Sequence, residues 1–269
     1  MFDGARIRAR SWVGRQLRRG RRSVLMTPPT TRVGNLLYFW LHAHLQQAAG
    51  REMRVLSNRH VSDWEAIWPL LPVQLGTASV RRTDRQVDVP PSHFQEFGRD
   101  FTHAQLQDFV QQRLVTGPFR ALLAEPDPHL LVVNVRRGDY YSNDEYRSRY
   151  AMDVEGYVER AVELAAVSGR IARVAIVSDD PAWCRDNLGF LTRLGRTRVV
   201  TGAPVDHLAF LASAAHLILA NSTFSYWGAY IAESRGDGVS VVAPRFHAAH
   251  VNDGVAWQLD PRWQVVDPT

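Results

Sequence analysis

The chain has 269 residues, 45% of them hydrophobic and 22% charged, enough for one large or two modest soluble domains, and no apolar run reaches the roughly 18–20 residues that cross a bilayer. All 32 basic residues are arginine and the net charge is +5, but eight arginines against Asp3 place +7 within residues 1–22, so the rest sums to −2 and gives no support to nucleic-acid binding. Cys184 is the single cysteine, which excludes an internal disulfide and a thiolate-built zinc site; with no apolar signal-peptide core at the amino terminus, the expected location is the cytoplasm.

Residues 1–22 interleave arginine with Ile7, Trp12, Val13 and Leu17. They suit either a short basic amphipathic helix lying on anionic lipid, hence a peripheral membrane contact, or an unstructured basic tail; Gly4, Gly14 and Gly20 weaken any helix. Val24–Met26 predicts a strand, Thr27–Arg32 a loop, and Gly34–Ala49 a helix with Leu37, Leu41, His44, Leu45 and Ala48 along one buried face, closed by Gly50. Arg54–Leu56 predicts a second strand. A loop that feeds a helix start in this way offers unpaired N–H groups to an anion. Trp64, Ile67, Trp68 and Leu71 suggest a short helix, and Pro90-Pro91 a break. Thr102 caps a predicted helix to Leu114, Phe119–Ala124 makes another, and the turn Pro126-Asp127-Pro128 reads as a domain boundary.

Leu130–Val133 is apolar without alternation, the pattern of a strand buried on both faces of a parallel sheet, and it leads into Asn134-Val135-Arg136-Arg137-Gly138-Asp139-Tyr140. Paired guanidinium forks at the carboxyl edge of such a strand suit an anionic ligand; Gly138 permits a sharp turn, and Asp139 can orient an arginine or take a proton. The same residues also suit a plain ion-paired strand end. Asp153 caps a predicted helix to Ser168. Val174–Val177 is a strand ending in Ser178-Asp179-Asp180, and Pro181 starts a helix with Trp183. Val199-Val200 is a strand, Asp206–Ser213 a helix, Leu217–Ala220 a strand, Asn221-Ser222-Thr223 a turn, Phe224–Ser234 a helix and Val239–Ala243 a strand. Alternation of this length means an α/β fold with a doubly wound parallel sheet.

Three strand ends then share one rim: Arg136, Arg137 and Asp139; Ser178, Asp179 and Asp180; Asn221, Ser222 and Thr223. Asp180 and the Asn221–Thr223 turn serve equally well as helix caps. A helix start with hydroxyls is also a phosphate seat, and a neighbouring carboxylate suits a ribose hydroxyl or a guanine N–H edge. Together these describe a nucleotide-diphosphate site, and the absence of a Gly-rich loop with lysine argues against a P-loop ATPase.

Asn134–Tyr140 resembles the His-x-Arg-Arg-Gly-Asp-Tyr motif of family 11 glycosyltransferases, the α-1,2-fucosyltransferases. Ser178-Asp179-Asp180 with Trp183, and Asn221-Ser222-Thr223-Phe224-Ser225-Tyr226-Trp227-Gly228-Ala229-Tyr230, are similar to two further stretches of that family. Arg32-Val33-Gly34-Asn35 resembles its Gly-Gly-Arg-Leu-Gly-Asn-Gln signature, and Ala243-Pro244 with Trp263 its tail. Four positions depart: Asn134 replaces the family's histidine, Thr30-Thr31 its paired glycines, and Leu36 its glutamine.

The resemblance implies a GT-B-like arrangement of two Rossmann-like halves with parallel sheets flanked by helices, an acceptor-side half over 23–128 and a nucleotide-sugar half over 129–269. It implies a galactoside 2-α-L-fucosyltransferase-like enzyme, moving L-fucose from GDP-fucose to a galactoside hydroxyl of a glycan with inversion, with neither metal nor other cofactor. On that resemblance Arg136 meets the β-phosphate, Arg137 supports it or holds Asp139, Ser222 and Thr223 bond the diphosphate beside Asn221, and Asp180 holds base or ribose. Asn134 lies near the guanosine, Arg32 and Asn35 face fucose or phosphate, and the catalytic base is Asp144 or Asp139, ahead of Glu145. A related transferase with another nucleotide sugar, and a non-catalytic nucleotide- or sugar-binding protein, are the rival readings. The basic tail is consistent with a lipid-linked acceptor at the inner membrane face; the oligomeric state is left open.

Overall fold

A computed structural model describes residues 22–167, 171–236 and 238–267. The chain divides into two compact units, residues 1–95 and 96–269. The expected amino-terminal tail lies outside the described residues except for Arg22, which belongs to the folded unit: its guanidinium bonds both oxygens of the buried Asp84, at 3.0 and 2.6 Å, and holds that carboxyl below its usual range.

The first unit is a four-stranded parallel sheet in the order β3-β2-β1-β4, from β1 (Ser23–Met26), β2 (Met53–Leu56), β3 (Gly76–Thr77) and β4 (Arg85–Asp88). Helix α1 (Val33–Ala48) joins β1 to β2, giving the expected β-loop-α-β opening. Its run Leu36-Leu37-Tyr38-Phe39-Trp40-Leu41 is at most 2% exposed at every position, so the helix is buried all round there rather than along one face. At about 1.5–3 kcal/mol for each large apolar side chain removed from water, this segment anchors the unit. Gly50, at φ +74°, supplies the left-handed residue that ends the helix. The expected helix around Trp64 is two short ones, α2 (Ser62–Glu65) and α3 (Leu70–Leu75), separated at Pro69.

In the second unit α4 (His103–Phe109) starts at Thr102, which forms a reciprocal capping box with Gln105, and runs on as a π-helical turn to Leu114. With α5 (Gly117–Leu122) it packs among the carboxy-terminal helices: Phe109 meets Trp227 edge-on at 5.9 Å, Gln111 donates to the Ser234 carbonyl, and Ala124 N–H donates to Ser213 Oγ. Residues 96–128 therefore pack with the carboxy-terminal unit, and the division falls ahead of the expected turn at Pro126–Pro128.

The main sheet is parallel throughout, in the order β10-β9-β8-β5-β6-β7. Its strands are β5 (Leu130–Val135), β6 (Arg173–Ser178), β7 (Arg196–Val200), β8 (His216–Ile218), β9 (Ser240–Pro244) and β10 (Gln264–Val266). Between them come α6 (Gly138–Ser142), α7 (Asp144–Tyr150), α8 (Val154–Val167), α9 (Pro181–Asn187), α10 (Pro204–Leu211) and α11 (Thr223–Glu233). The predicted end of α8 at Ser168 falls outside the described residues, and α10 and α11 begin two and one residues earlier than predicted. One sheet face, through Leu131, Val133, Val135, Val174 and Ile176, packs on α8 residues Tyr157, Val158 and Ala161. A Cβ at Gly228 of α11 would lie 2.6 Å from Leu211 Cβ of α10, so glycine permits that close helix approach. From β5 the chain winds outward through β6 to β7, then returns to place β8 on the other side of β5. That reversal makes the carboxyl ends of β5 and β8 a topological switch point, where open α/β sheets form their ligand crevice. Among the described residues no helix is long and apolar enough to cross a membrane.

Candidate functional site

At the end of β5, Arg136 donates Nη1 to Asp179 Oδ2 at 2.5 Å and Nη2 to Asp139 Oδ1 at 2.6 Å, with its guanidinium 5.0 Å from the Tyr140 ring centre. The Arg137 main-chain N–H donates to the second Asp179 oxygen at 2.8 Å. One carboxylate from the end of β6 thus organises both arginines of β5. The Arg137 side chain lies between the Tyr141 and Trp183 rings, 3.9 and 4.1 Å from their centres, and its Nε donates to Asp180 Oδ2 at 3.3 Å. The other Asp180 oxygen accepts the Trp183 N–H and caps α9, so the capping reading of this residue is realised while its second oxygen holds Arg137.

On the other side of β5 the turn after β8 opens α11. Ser222, in extended conformation, is the N-cap, and no side chain caps the helix start; the buried Ser225 hydroxyl accepts the Ala220 N–H and fixes the turn. The start of this 11-residue helix stands beside the Ser222 and Thr223 hydroxyls at the switch point, and the positive end of a helix of this length favours an anion.

Two predicted ligand contacts have other employment. Asn221, 2% exposed, donates to the Tyr150 carbonyl at 2.8 Å and the His247 carbonyl at 3.0 Å, so both its N–H groups tie loops of the main chain together. Asn134 is buried in β5 and its amide nitrogen donates to the Val177 carbonyl of β6 at 2.9 Å. Neighbouring segments leave main-chain carbonyls that need donors, and these two amides supply them. Asp139 and Asp144, expected in one loop, lie in separate helices. Asp139 joins the arginine network; Asp144, its side chain 95% exposed, stands at the start of α7, 3.4 Å from Arg147. Arg32 and Asn35 lie in the amino-terminal unit at the start of α1, where Asn35 accepts a hydrogen bond from Gln95 at 3.0 Å.

The sequence reading gave Asp179 no role of its own and passed over Tyr141. Their signals were present: Asp179 precedes the capping Asp180, and Tyr141 directly follows the motif. Tyr140 stacks on Tyr150 at 4.4 Å, and burial raises the phenol pKa of both. Among the described residues no group of three or more His, Cys, Asp or Glu side chains is arranged to hold a metal ion.

The family model for glycosyl transferase family 11 matches residues 92–264, a span that contains the whole rim. The chain belongs to glycosyl transferase family 11. Arg32 and Asn35 lie outside the matched span. The chain is 31% identical over 187 residues to galactoside α-(1,2)-fucosyltransferase 2 of Mus musculus, covering 65% of this chain and 50% of that one. It is 28% identical over 144 residues to galactoside α-(1,2)-fucosyltransferase 1 of Homo sapiens, covering 51% and 38%. This family 11 chain thus spans half the length, or less, of these curated relatives. Among solved structures it is similar to E. coli heptosyltransferase WaaC with ADP (10% identity, 91% and 93% covered, TM-score 0.48). It is also similar to POFUT1 in complex with GDP (10% identity, 83% and 97% covered, TM-score 0.44).

Proposed function

We propose that this chain is an inverting galactoside 2-α-L-fucosyltransferase that moves L-fucose from GDP-fucose to a galactoside hydroxyl of a glycan, without a metal. Family membership and the relatives' names support the reaction class. The observation that carries the reading is the pairing, across one switch point, of Arg136, which directly follows β5, with the side-chain-uncapped start of α11 after β8.

In this reading the diphosphate lies between Arg136 and the Ser222-Thr223 helix start. A guanidinium has five N–H groups; Asp179 and Asp139 orient Arg136 through two of them, leaving others for phosphate oxygens. Charge that develops on the leaving GDP then meets donors already in place. Metal independence rests on the employment of the rim carboxylates: Asp179 and Asp180 accept hydrogen bonds from the two arginines, so a diphosphate-bound cation would compete with guanidinium for them. Of the two candidate bases Asp139 is held by Arg136 at 2.6 Å, whereas Asp144, with Arg147 at 3.4 Å, has its side chain 95% exposed and is the more open to an acceptor hydroxyl proton. Asp144→Asn is therefore expected to abolish turnover while sparing GDP binding.

The deciding experiment pairs calorimetric titration of GDP and GDP-fucose, with and without magnesium, with turnover on galactoside acceptors. Removing one preorganised donor of an oxyanion costs roughly 100- to 1,000-fold in rate. Arg136→Ala is expected to lose at least about 100-fold, and activity within a few-fold of wild type would sink the assignment. A changed donor is the second reading, favoured by Asn134, whose amide is already given to Val177. Binding of another nucleotide sugar with none of GDP-fucose would establish it.

A further inference from the structure

The face of the main sheet opposite α8 carries a row of arginines. Leu130, Arg173 and Arg196 are register partners across β5, β6 and β7, so their side chains project from the same face, and Arg198 follows two residues on. Like charges directly opposite on adjacent strands repel. The fold answers only part of this charge. Asp127 pairs with Arg173, and Arg198 lies 5.6 Å from the centre of the Phe210 ring of α10. Among the described residues Arg196 has no carboxylate partner. All three arginines are exposed and, with Leu130 and Val174, line a groove of about 330 Å³.

The groove lies at the starts of β6 and β7, whereas the donor rim lies at the strand ends. Five residue steps along β6, at about 3.3 Å each, put Arg173 and its register partner Arg196 roughly 16 Å from the level of Ser178, and Arg198, opposite Ala175, is three steps or about 10 Å from it. A ligand held by Arg196 and Arg198 is therefore not the diphosphate of the donor site. Guanidinium forks match tetrahedral oxyanions, and a groove this size holds a phosphate group with part of its ester.

We propose that Arg173, Arg196 and Arg198 form an anion-binding groove for a phosphate ester, remote from the donor rim. Two sources share that chemistry, a phospholipid headgroup at a membrane surface and a soluble phosphate ester, and the test separates them. The 269-residue wild type, Arg196→Ala/Arg198→Ala and Arg196→Lys/Arg198→Lys are compared at fixed ionic strength. Each is sedimented with phosphatidylcholine vesicles containing none or 30% phosphatidylglycerol, and each is melted with and without 10 mM inorganic phosphate. The arginine-rich residues 1–22 are common to all three proteins, so differences report the groove.

If the ligand is a headgroup, the alanine pair lowers binding to anionic vesicles roughly thirtyfold, from about fivefold for each arginine at a membrane surface, and the lysine pair retains most of it. If it is a soluble ester, vesicle binding is unchanged, but inorganic phosphate raises the melting temperature of wild type and not of the alanine pair. GDP binding unchanged in the alanine pair excludes an effect through the donor rim, and its loss would overturn the separation of the two sites. Vesicle binding and phosphate response both unchanged in the alanine pair would overturn the proposal.

Discussion

Gly138→Ala is the smallest change that tests the arginine network. A Cβ at this position would overlap Asp179 Oδ2 and lie 3.1 Å from Asp179 Cγ. Gly138 opens α6 and is not among the residues at positive φ, so alanine meets no backbone strain there; the side chain of Asp179 has to move. That carboxylate accepts Arg136 Nη1 at 2.5 Å and the Arg137 N–H at 2.8 Å. Charge-assisted bonds contribute about 1.5–3 kcal/mol each, and with both side chains about a third exposed, water replaces much of what is lost. The expected cost in stability is about 1–2 kcal/mol. Activity should fall further, because displacement of a catalytic group by about 1 Å costs on the order of 100-fold in rate. Urea unfolding and acceptor turnover, measured on the same preparations, give the two numbers. If the overlap is the cause, adding Gly138→Ala to Asp179→Ala changes little. Activity of Gly138→Ala within a few-fold of wild type, or a full additional loss on top of Asp179→Ala, would refute this account.

Glu233, at the end of α11, has its pKa pushed up to about 7 by burial against the pull of Arg262, 3.2 Å away. The folded state then keeps a proton that the unfolded state releases near 4.5, so this residue's contribution to stability declines as pH rises from about 4.5 to 7. His42, pulled down to about 4 by burial, acts in the opposite sense over much of that range, so the variant must be compared with wild type at each pH. Relative to wild type, Glu233→Gln should gain up to about 2.5 kcal/mol between pH 5 and 8 in urea unfolding, at 1.36 kcal/mol per tenfold change in proton activity; a constant difference would contradict it. Asn221→Ala removes a donor from one buried and one partly buried carbonyl and should lower stability by about 2–4 kcal/mol. Unchanged stability with lost GDP binding would instead return Asn221 to the role of a direct donor contact.

Local chemistry was enough to find the central elements. The unalternating run at Leu130–Val133 is strand β5, Thr102 caps α4, and Asp180 caps α9. Each signal lies within a few residues of its effect. Strands β3, β4 and β10 were not legible: β4 is Arg85-Gln86-Val87-Asp88, mostly exposed, and it is a strand because it pairs with β1. The compact units divide elsewhere than at the proline-rich turn for a similar reason. A proline-rich turn marks a break in the chain, but Phe109 against Trp227 decides which side the preceding helices join.

At the site, residue types and their order along the chain already named Arg136, Arg137, Asp139, Asp180, Ser222 and Thr223, because guanidinium, carboxylate and hydroxyl chemistry belongs to the side chain itself. Tertiary structure decided how each is employed. Asp179 became the hub of both arginines because β5 and β6 end side by side, with Val135 opposite Ser178. Asn134 and Asn221 became braces because carbonyls 43 and 26 residues away came to lie against them. A sequence carries each group's capacity to donate, accept or hold charge; the partner that meets that capacity is set by strand register and helix packing, which join residues far apart in the chain.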